Sequence, residues 1–236
     1  GPSTTPLRGH LFFGKNTHQL NDRQNLMLSL NVRDDGDERD FGGGTAEDSR
    51  REVENNVANV QLRHTLTANG MTNEAQVSFQ RVGWNQRGTV TGPRYVFEEW
   101  GITRGANTGS QDIGQDRLSL RNDVTWTLSS HVVKIGANLD FLSYDVTKLL
   151  NETPVFFFRP DRPGTFESPY KAELEIGNPD LVTDNQQFGI YLQDDWAATP
   201  KLTLSLGVRW DYESNNLNND FVTPAWVRTA ATTFTS

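Results

Sequence analysis

Residues 185–215 read NQQFGIYLQDDWAATPKLTLSLGVRWDYESN, and the reading of this stretch decides the fold. In its second half Leu202, Leu204, Leu206, Val208 and Trp210 are apolar, while Lys201, Thr203, Ser205, Gly207, Arg209 and Asp211 are small or polar. Alternation with period 2 over about ten residues is the pattern of a strand with one apolar and one wet face. The first half repeats it, with Phe188, Ile190 and Leu192 set against Gln187, Gly189, Tyr191 and Gln193. Ala197 to Pro200 form a short turn between them. The pair predicts a β-hairpin with Trp196 near its turn and Trp210 and Tyr212 near its open end. The question is whether the apolar face meets a protein core or lipid.

The same rhythm recurs along the chain. It predicts strands near 7–14, 24–33, 57–67, 74–84, 116–128, 132–144, 187–196 and 201–212. Leu118, Leu120, Val124 and Trp126 form the apolar face of one, and Val133, Ile135, Ala137, Leu139 and Phe141 that of the next. Connections are short near 16–22, 69–73, 129–131 and 197–200, and long near 34–56, 85–114 and 147–185. Asn69-Gly70 is a strong signal for a tight hairpin. No helical period of useful length appears. The fold class expected is all-β, an antiparallel up-and-down meander of long strands, with residues 1–236 as one domain.

Composition sets the outer limits. The 236 residues suffice for one barrel or one or two ordinary domains, and the net charge is -8. An acidic chain does not neutralise phosphates in bulk, which argues against a nucleic-acid partner. The mean hydropathy is low, at -0.62, but 13 Phe, 6 Trp and 5 Tyr are too many aromatics for a disordered chain. With no Cys, disulfides and thiolate metal sites are excluded. No apolar run reaches the length of a transmembrane helix, and no signal-peptide pattern is present. Membrane β-strands are only half apolar, so a hydropathy scan does not detect them.

A soluble antiparallel sandwich also alternates, so a soluble β-sandwich carbohydrate-binding module is one alternative. Three features favour a membrane. The strands are long, where soluble strands average about five or six residues and bilayer-crossing ones need about nine to eleven. Short turns at one end and long loops at the other are the asymmetry of outer-membrane barrels. Aromatics (Trp84, Trp126, Phe141, Tyr144, Trp196, Trp210 and Tyr212) fall near strand ends, as interface girdles require. Arg33, Arg63, Arg117, Arg121, Lys134 and Arg209 all fall opposite the apolar face, sparing the cost of a lipid-facing cation, about 2–4 kcal/mol. The apolar set Leu118, Leu120, Val133, Ile135, Leu139, Phe188, Ile190, Leu192, Leu202, Leu204, Leu206 and Val208 is then expected to face lipid. His64 and Asn122 interrupt it and are expected near an interface or a bulge.

Residues 188–213, FGIYLQDDWAATPKLTLSLGVRWDYE, resemble a hairpin of TonB-dependent outer-membrane receptors. The matching positions are Gln193, Asp194, Asp195 and Trp196, then Leu202, Leu204, Gly207, Arg209, Trp210 and Asp211. The upstream LFFGKNTHQLNDRQNLMLSLNVR is similar to the Oar-like subgroup. The resemblance implies a bacterial outer-membrane location and uptake of a scarce external ligand, with energy relayed by a TonB-type coupler through a plug domain. This chain shows no plug domain, no TonB box, and strands for about a third of such a barrel. It therefore reads as a partial barrel, an open curved sheet in preference to a small closed barrel. A small outer-membrane barrel serving as adhesin or anchor is the other membrane alternative.

Catalytic chemistry is not expected. Asp194 and Asp195 are adjacent in a strand, point to opposite faces and cannot act as one acid–base couple. His10, His18, His64 and His131 lack metal-ligand spacing. The acidic run 34–40 lacks the spaced ligands of a calcium loop and reads as solvated. No G-x-S-x-G elbow occurs, and no cofactor is implied. Tyr95, Trp100, Phe156, Phe157, Phe158 and Arg159 are candidate ligand contacts at the outer mouth, with packing of the loops on themselves as the alternative.

Overall fold

The alternating runs assemble into one large antiparallel sheet. The computed structural model describes residues 5, 7–159, 167–215 and 222–233. Its strands are β1 (Arg8–Asn21), β2 (Gln24–Arg39), β3 (Arg51–Ala68), β4 (Met71–Gly88), β5 (Arg94–Phe97), β6 (Ile102–Gly105), β7 (Gln111–Leu128), β8 (His131–Lys148), β9 (Val155–Phe158), β10 (Lys171–Glu173), β11 (Asp180–Thr199) and β12 (Leu202–Glu213). Eight of them form the wall in the order β1-β2-β3-β4-β7-β8-β11-β12, and the other four a small sheet in the order β10-β9-β5-β6. No helix among the described residues is long and apolar enough to cross a membrane.

The wall strands run well past the alternating cores that predict them. Strand β1 continues through Lys15 to Asn21, all polar but Leu20, and the turn falls at Asp22-Arg23. The connection expected over 34–56 shrinks to 40–50, because β2 and β3 stay hydrogen-bonded out to Arg39 and Arg51. Apolar alternation ends where both faces of the ribbon meet water, but backbone pairing does not. A helix, α1 (Ala225–Thr233), occupies the tail where no helical period is legible; nine residues are too few to show one.

The four tight turns lie at one end of the wall. Asn69 and Gly70 both take positive φ, 49° and 77°, as a two-residue hairpin of this kind requires. The other end carries the long connections.

Cross-strand register places the two faces. One row across the outer face runs Leu28–Leu62–Val77–Leu120–Leu139–Phe188–Tyr212. The row containing Val60, Phe79, Leu118 and Phe141 lies on one side of it; on the other come the row His64–Ala75–Asn122–Ala137–Ile190–Trp210 and then the row containing Val124, Ile135, Leu192 and Val208. Leu206 and Val208 are 61% and 67% exposed, and no second sheet covers them among the described residues. That removes the sandwich reading. Along β7 the ten steps from Leu118 to Leu128 rise about 33 Å, or about 25 Å once the strand tilts by about 40°. This is the height of a barrel's apolar band. Above it, Arg81 and Asp116 pair at 3.3 Å on the same face.

Parity also corrects two expectations. Trp84 pairs across from Ile113 and Tyr144 from Gln115, which puts both rings on the inner face and not in a girdle. Strand β1 is mixed on both sides: Phe12 lies outward beside Val32, while Leu11 and Phe13 lie inward beside Arg33 and Asn31. His64 and Asn122 are outward and share one row inside the apolar band, so the expectation of an interface or a bulge fails for both, and each instead meets a polar neighbour: His64 Nε2 is 3.0 Å from Gln24 Oε1, and Asn73 donates to Asn122 at 2.9 Å.

The inner face is a polar lattice. Asp140, 4% exposed, accepts from Arg117 Nε at 3.1 Å and Nη2 at 3.0 Å, and from the Ser119 hydroxyl. Arg63 and Gln61 both donate to Gln76. Tyr191 crosses β8 at Gly136 and donates to Asp123 on β7 at 2.7 Å. A Cβ on Gly136 would sit 2.2 Å from the Tyr191 ring, so only glycine admits that crossing.

Candidate functional site at the loop end

The loops between the wall strands do not stay separate. RYVF (94–97) and VFFF (155–158) come from two different connections and pair in parallel, with Tyr95 opposite Phe156 and Phe97 opposite Phe158. Both quartets are aromatic or β-branched, which favours extended pairing. β6 and β10 extend the sheet on either side. The 40–50 connection docks on its β6 edge, where the Thr103 amide donates to the Gly44 carbonyl and the Ala46 amide to the Thr103 carbonyl, both at 2.8 Å.

Alternation then gives this small sheet two unlike faces. Tyr95, Phe97, Phe156 and Phe158 share one face as a stacked array; Phe97 and Phe158 are 5.0 Å apart, and Phe158 is only 6% exposed. Trp100 stacks on Phe97 at 6.3 Å and is 57% exposed, so it is the ring best placed to meet a molecule from outside. Phe157 points to the opposite face, where Lys171 Nζ lies 4.6 Å from its centroid. Arg159 binds Glu98 and lies 5.2 Å over the Tyr170 ring. The candidate contacts therefore divide: Tyr95, Trp100, Phe156 and Phe158 gather on one face, Phe157 lines the other, and Arg159 braces the end.

Glu98 is the electrostatic pin of this unit. The Tyr170 hydroxyl, at 2.8 Å, and then Arg159 hold its carboxyl below the usual glutamate range, and Glu98 in turn raises the Tyr170 phenol. A carboxylate depressed in the folded state stabilises fully above its unfolded value of about 4.3 and loses that contribution as pH falls through the folded value. Near-UV circular dichroism of the aromatic array should therefore hold from neutral pH down to about 5 and weaken towards pH 3. In E98Q the array should already be weakened at neutral pH and should show less further change with acid. A variant indistinguishable from wild type across that range removes Glu98 from the role.

The second face closes over the inner surface of the wall. Between them lies a cavity of 480 Å³ lined by Arg51, Gln86 and Gln111 from the wall, by Arg94, Val96, Val155 and Phe157 from the small sheet, and by Asn107 and Asn151 from the connections. Burial pushes the Arg94 guanidinium below its ordinary value. Nothing in the sequence singles out Arg94 or Asn107, whose roles arise only once two distant loops meet.

The hairpin motif sits at the far end and forms no such site. Asp194 lies on the apolar face with His131 Nδ1 at 2.7 Å, and Trp196 stacks on that imidazole at 5.6 Å. Asp195 lies on the inner face with Lys134 at 3.2 Å and Gln193 at 3.1 Å. Arg209 donates to both oxygens of Asp211, at 2.6 and 2.8 Å, and lies over Gly189, while Gly207 faces Gln193. Trp210 packs outward against Phe188 and Tyr212. Among the described residues no cluster of His, Asp and Glu could hold a metal; within 34–40, Asp35, Asp37 and Asp40 pair instead with Arg33, Arg39 and Arg51.

A family profile described as "Outer membrane beta barrel domain" matches residues 2–223. The chain belongs to that family. It is a bacterial outer-membrane protein. Its fold matches part of the barrel of solved outer-membrane receptors and transporters. The outer membrane transporter YddB of Escherichia coli superposes with a TM-score of 0.60 at 14% identity, over 86% of this chain and 27% of the transporter. The Pseudomonas aeruginosa receptor FpvA, solved with bound pyoverdines, gives 0.60 at 14%, over 89% and 30%. The ferric enterobactin receptor PfeA of the same organism gives 0.56 at 13%, over 89% and 29%. The barrel domain thus spans less than a third of each of these proteins. A search of the curated proteins finds no match.

Proposed function

We propose that this barrel domain is part of the wall of a TonB-dependent receptor that captures a scarce substrate outside the cell and passes it inward. The observation that carries the reading is the division of one wall into an apolar outer face, a hydrogen-bonded inner face and a folded cap at the loop end. The outer face meets lipid, with the tight turns at the periplasmic rim and the small sheet outside. The polar inner face suits a plug domain, through which a TonB-type coupler would do work on the bound substrate. No bond is made or broken in this scheme: the domain binds and conducts, and is not an enzyme.

The test is depletion of compounds from defined medium, followed by mass spectrometry. Cells carrying the intact protein should deplete at least one compound that cells lacking it, or lacking the energy coupler, leave behind. Replacing 91–109 and 149–179 with short Gly-Ser turns should abolish that depletion while the barrel still reaches the outer membrane. If no compound depends on both the protein and the coupler, the uptake reading is wrong.

A further inference from the structure

In the cavity between the small sheet and the wall one guanidinium, that of Arg94, lacks a direct partner. Arg51 is held by Asp40 at 2.6 Å, and Glu173 by Lys171. Gln86 donates to the Gly109 carbonyl at 3.2 Å and Asn107 to the Ser49 carbonyl at 3.2 Å. The Arg94 side chain is half-buried, lines the same space and has no direct ion pair or hydrogen bond among the described residues; its electrostatic neighbours are Asp40, already bound to Arg51, and Arg51 itself. A guanidinium does not escape this by losing its proton. A partly desolvated, unpaired cation is a standing cost that an entering anion would relieve.

We propose that this cavity binds the carboxylate end of a small, partly apolar molecule, anchored by the Arg94 guanidinium. The claim rests on the receptor reading and narrows its substrate class. The planar guanidinium fork matches a carboxylate. Asp40 and Glu173 also line the cavity but are already paired, with Arg51 and Lys171, so one guanidinium is left for the ligand and a single carboxylate matches it. Val96, Val155 and Phe157 supply an apolar wall for the rest of the molecule, and Gln111 and Asn151 bring amides to its polar groups.

The probe is N-acetyl-leucine, with its uncharged amide N-acetyl-leucinamide as the matched control. Both are titrated calorimetrically into the intact purified protein in detergent micelles. The acid should bind at least tenfold more tightly than the amide. Arg94→Gln should remove that preference, and Arg94→Lys, which keeps charge without the fork, should reduce it several-fold. Arg104→Gln should leave it unchanged, because Arg104 pairs across from Tyr95 and belongs to the opposite face. The proposal is overturned if folded wild-type protein binds both probes equally or neither, or if both folded Arg94 variants keep the full preference. Uptake without any preference for the acid would overturn only this assignment; a preference without uptake would overturn only the transport reading.

Discussion

Ile135→Arg should destabilise the folded barrel by about 2–4 kcal/mol. Ile135 is 44% exposed, sits between Val124 and Leu192 on the outer face, and lies near the middle of the apolar band. An arginine there has no aqueous route that does not bend the side chain along the wall. The same residue placed at Ser78, on the inner face beside Ser119 and Gln61, should change stability by less than about 1 kcal/mol. Urea titration of the protein folded in lipid vesicles reads both. The decisive quantity is the difference between the two sites. If the two substitutions cost the same, the two faces do not meet different solvents and the membrane assignment of the outer one fails.

Asp140→Ala should cost about 2–4 kcal/mol, from the inner face alone. The carboxylate is nearly inaccessible and takes both donors of Arg117 as well as Ser119. Removing it leaves the Arg117 guanidinium, itself partly exposed, without its counter-charge, so the loss comes mainly from the buried Asp140 end. Asp140→Asn keeps the shape and one acceptor and should lose about half as much. Asp211→Ala is the contrasting case: its pair with Arg209 is half exposed on both sides, and its loss should cost no more than about 1 kcal/mol. Equal midpoints for the Asp140 and Asp211 variants would show that burial does not set the strength of these pairs.

The 187–212 hairpin is legible because an apolar face on one side and polar packing on the other impose strict alternation on each residue. The reach of the strands was not. Residues such as Gly36, Asp37 and Glu38 pair with Glu54, Val53 and Glu52 in water, where no hydrophobic pattern is required. Nearness to a strand end does not give the face of Trp84 or Tyr144, whereas counting by twos from Phe79 and Phe141 puts both on the inner face. At the site, Tyr95 and Phe156 to Phe158 are legible because aromatic residues stand out in a polar loop. That they pair with each other in parallel was hidden, since nothing local records a contact across some sixty residues of sequence. Arg94 was invisible for the same reason.

Tyr191 and Gly136 have a consequence for how sequences of this wall can drift. The ring occupies the volume a side chain at 136 would need, and its hydroxyl reaches one strand further to Asp123. Neither partner can change alone at low cost. Any relative with a larger residue at 136 should carry a smaller one at 191, and only those that keep the tyrosine have cause to keep the aspartate at 123. The three positions, each from a different strand, should be inherited as a set, and an alignment of relatives would show them changing together.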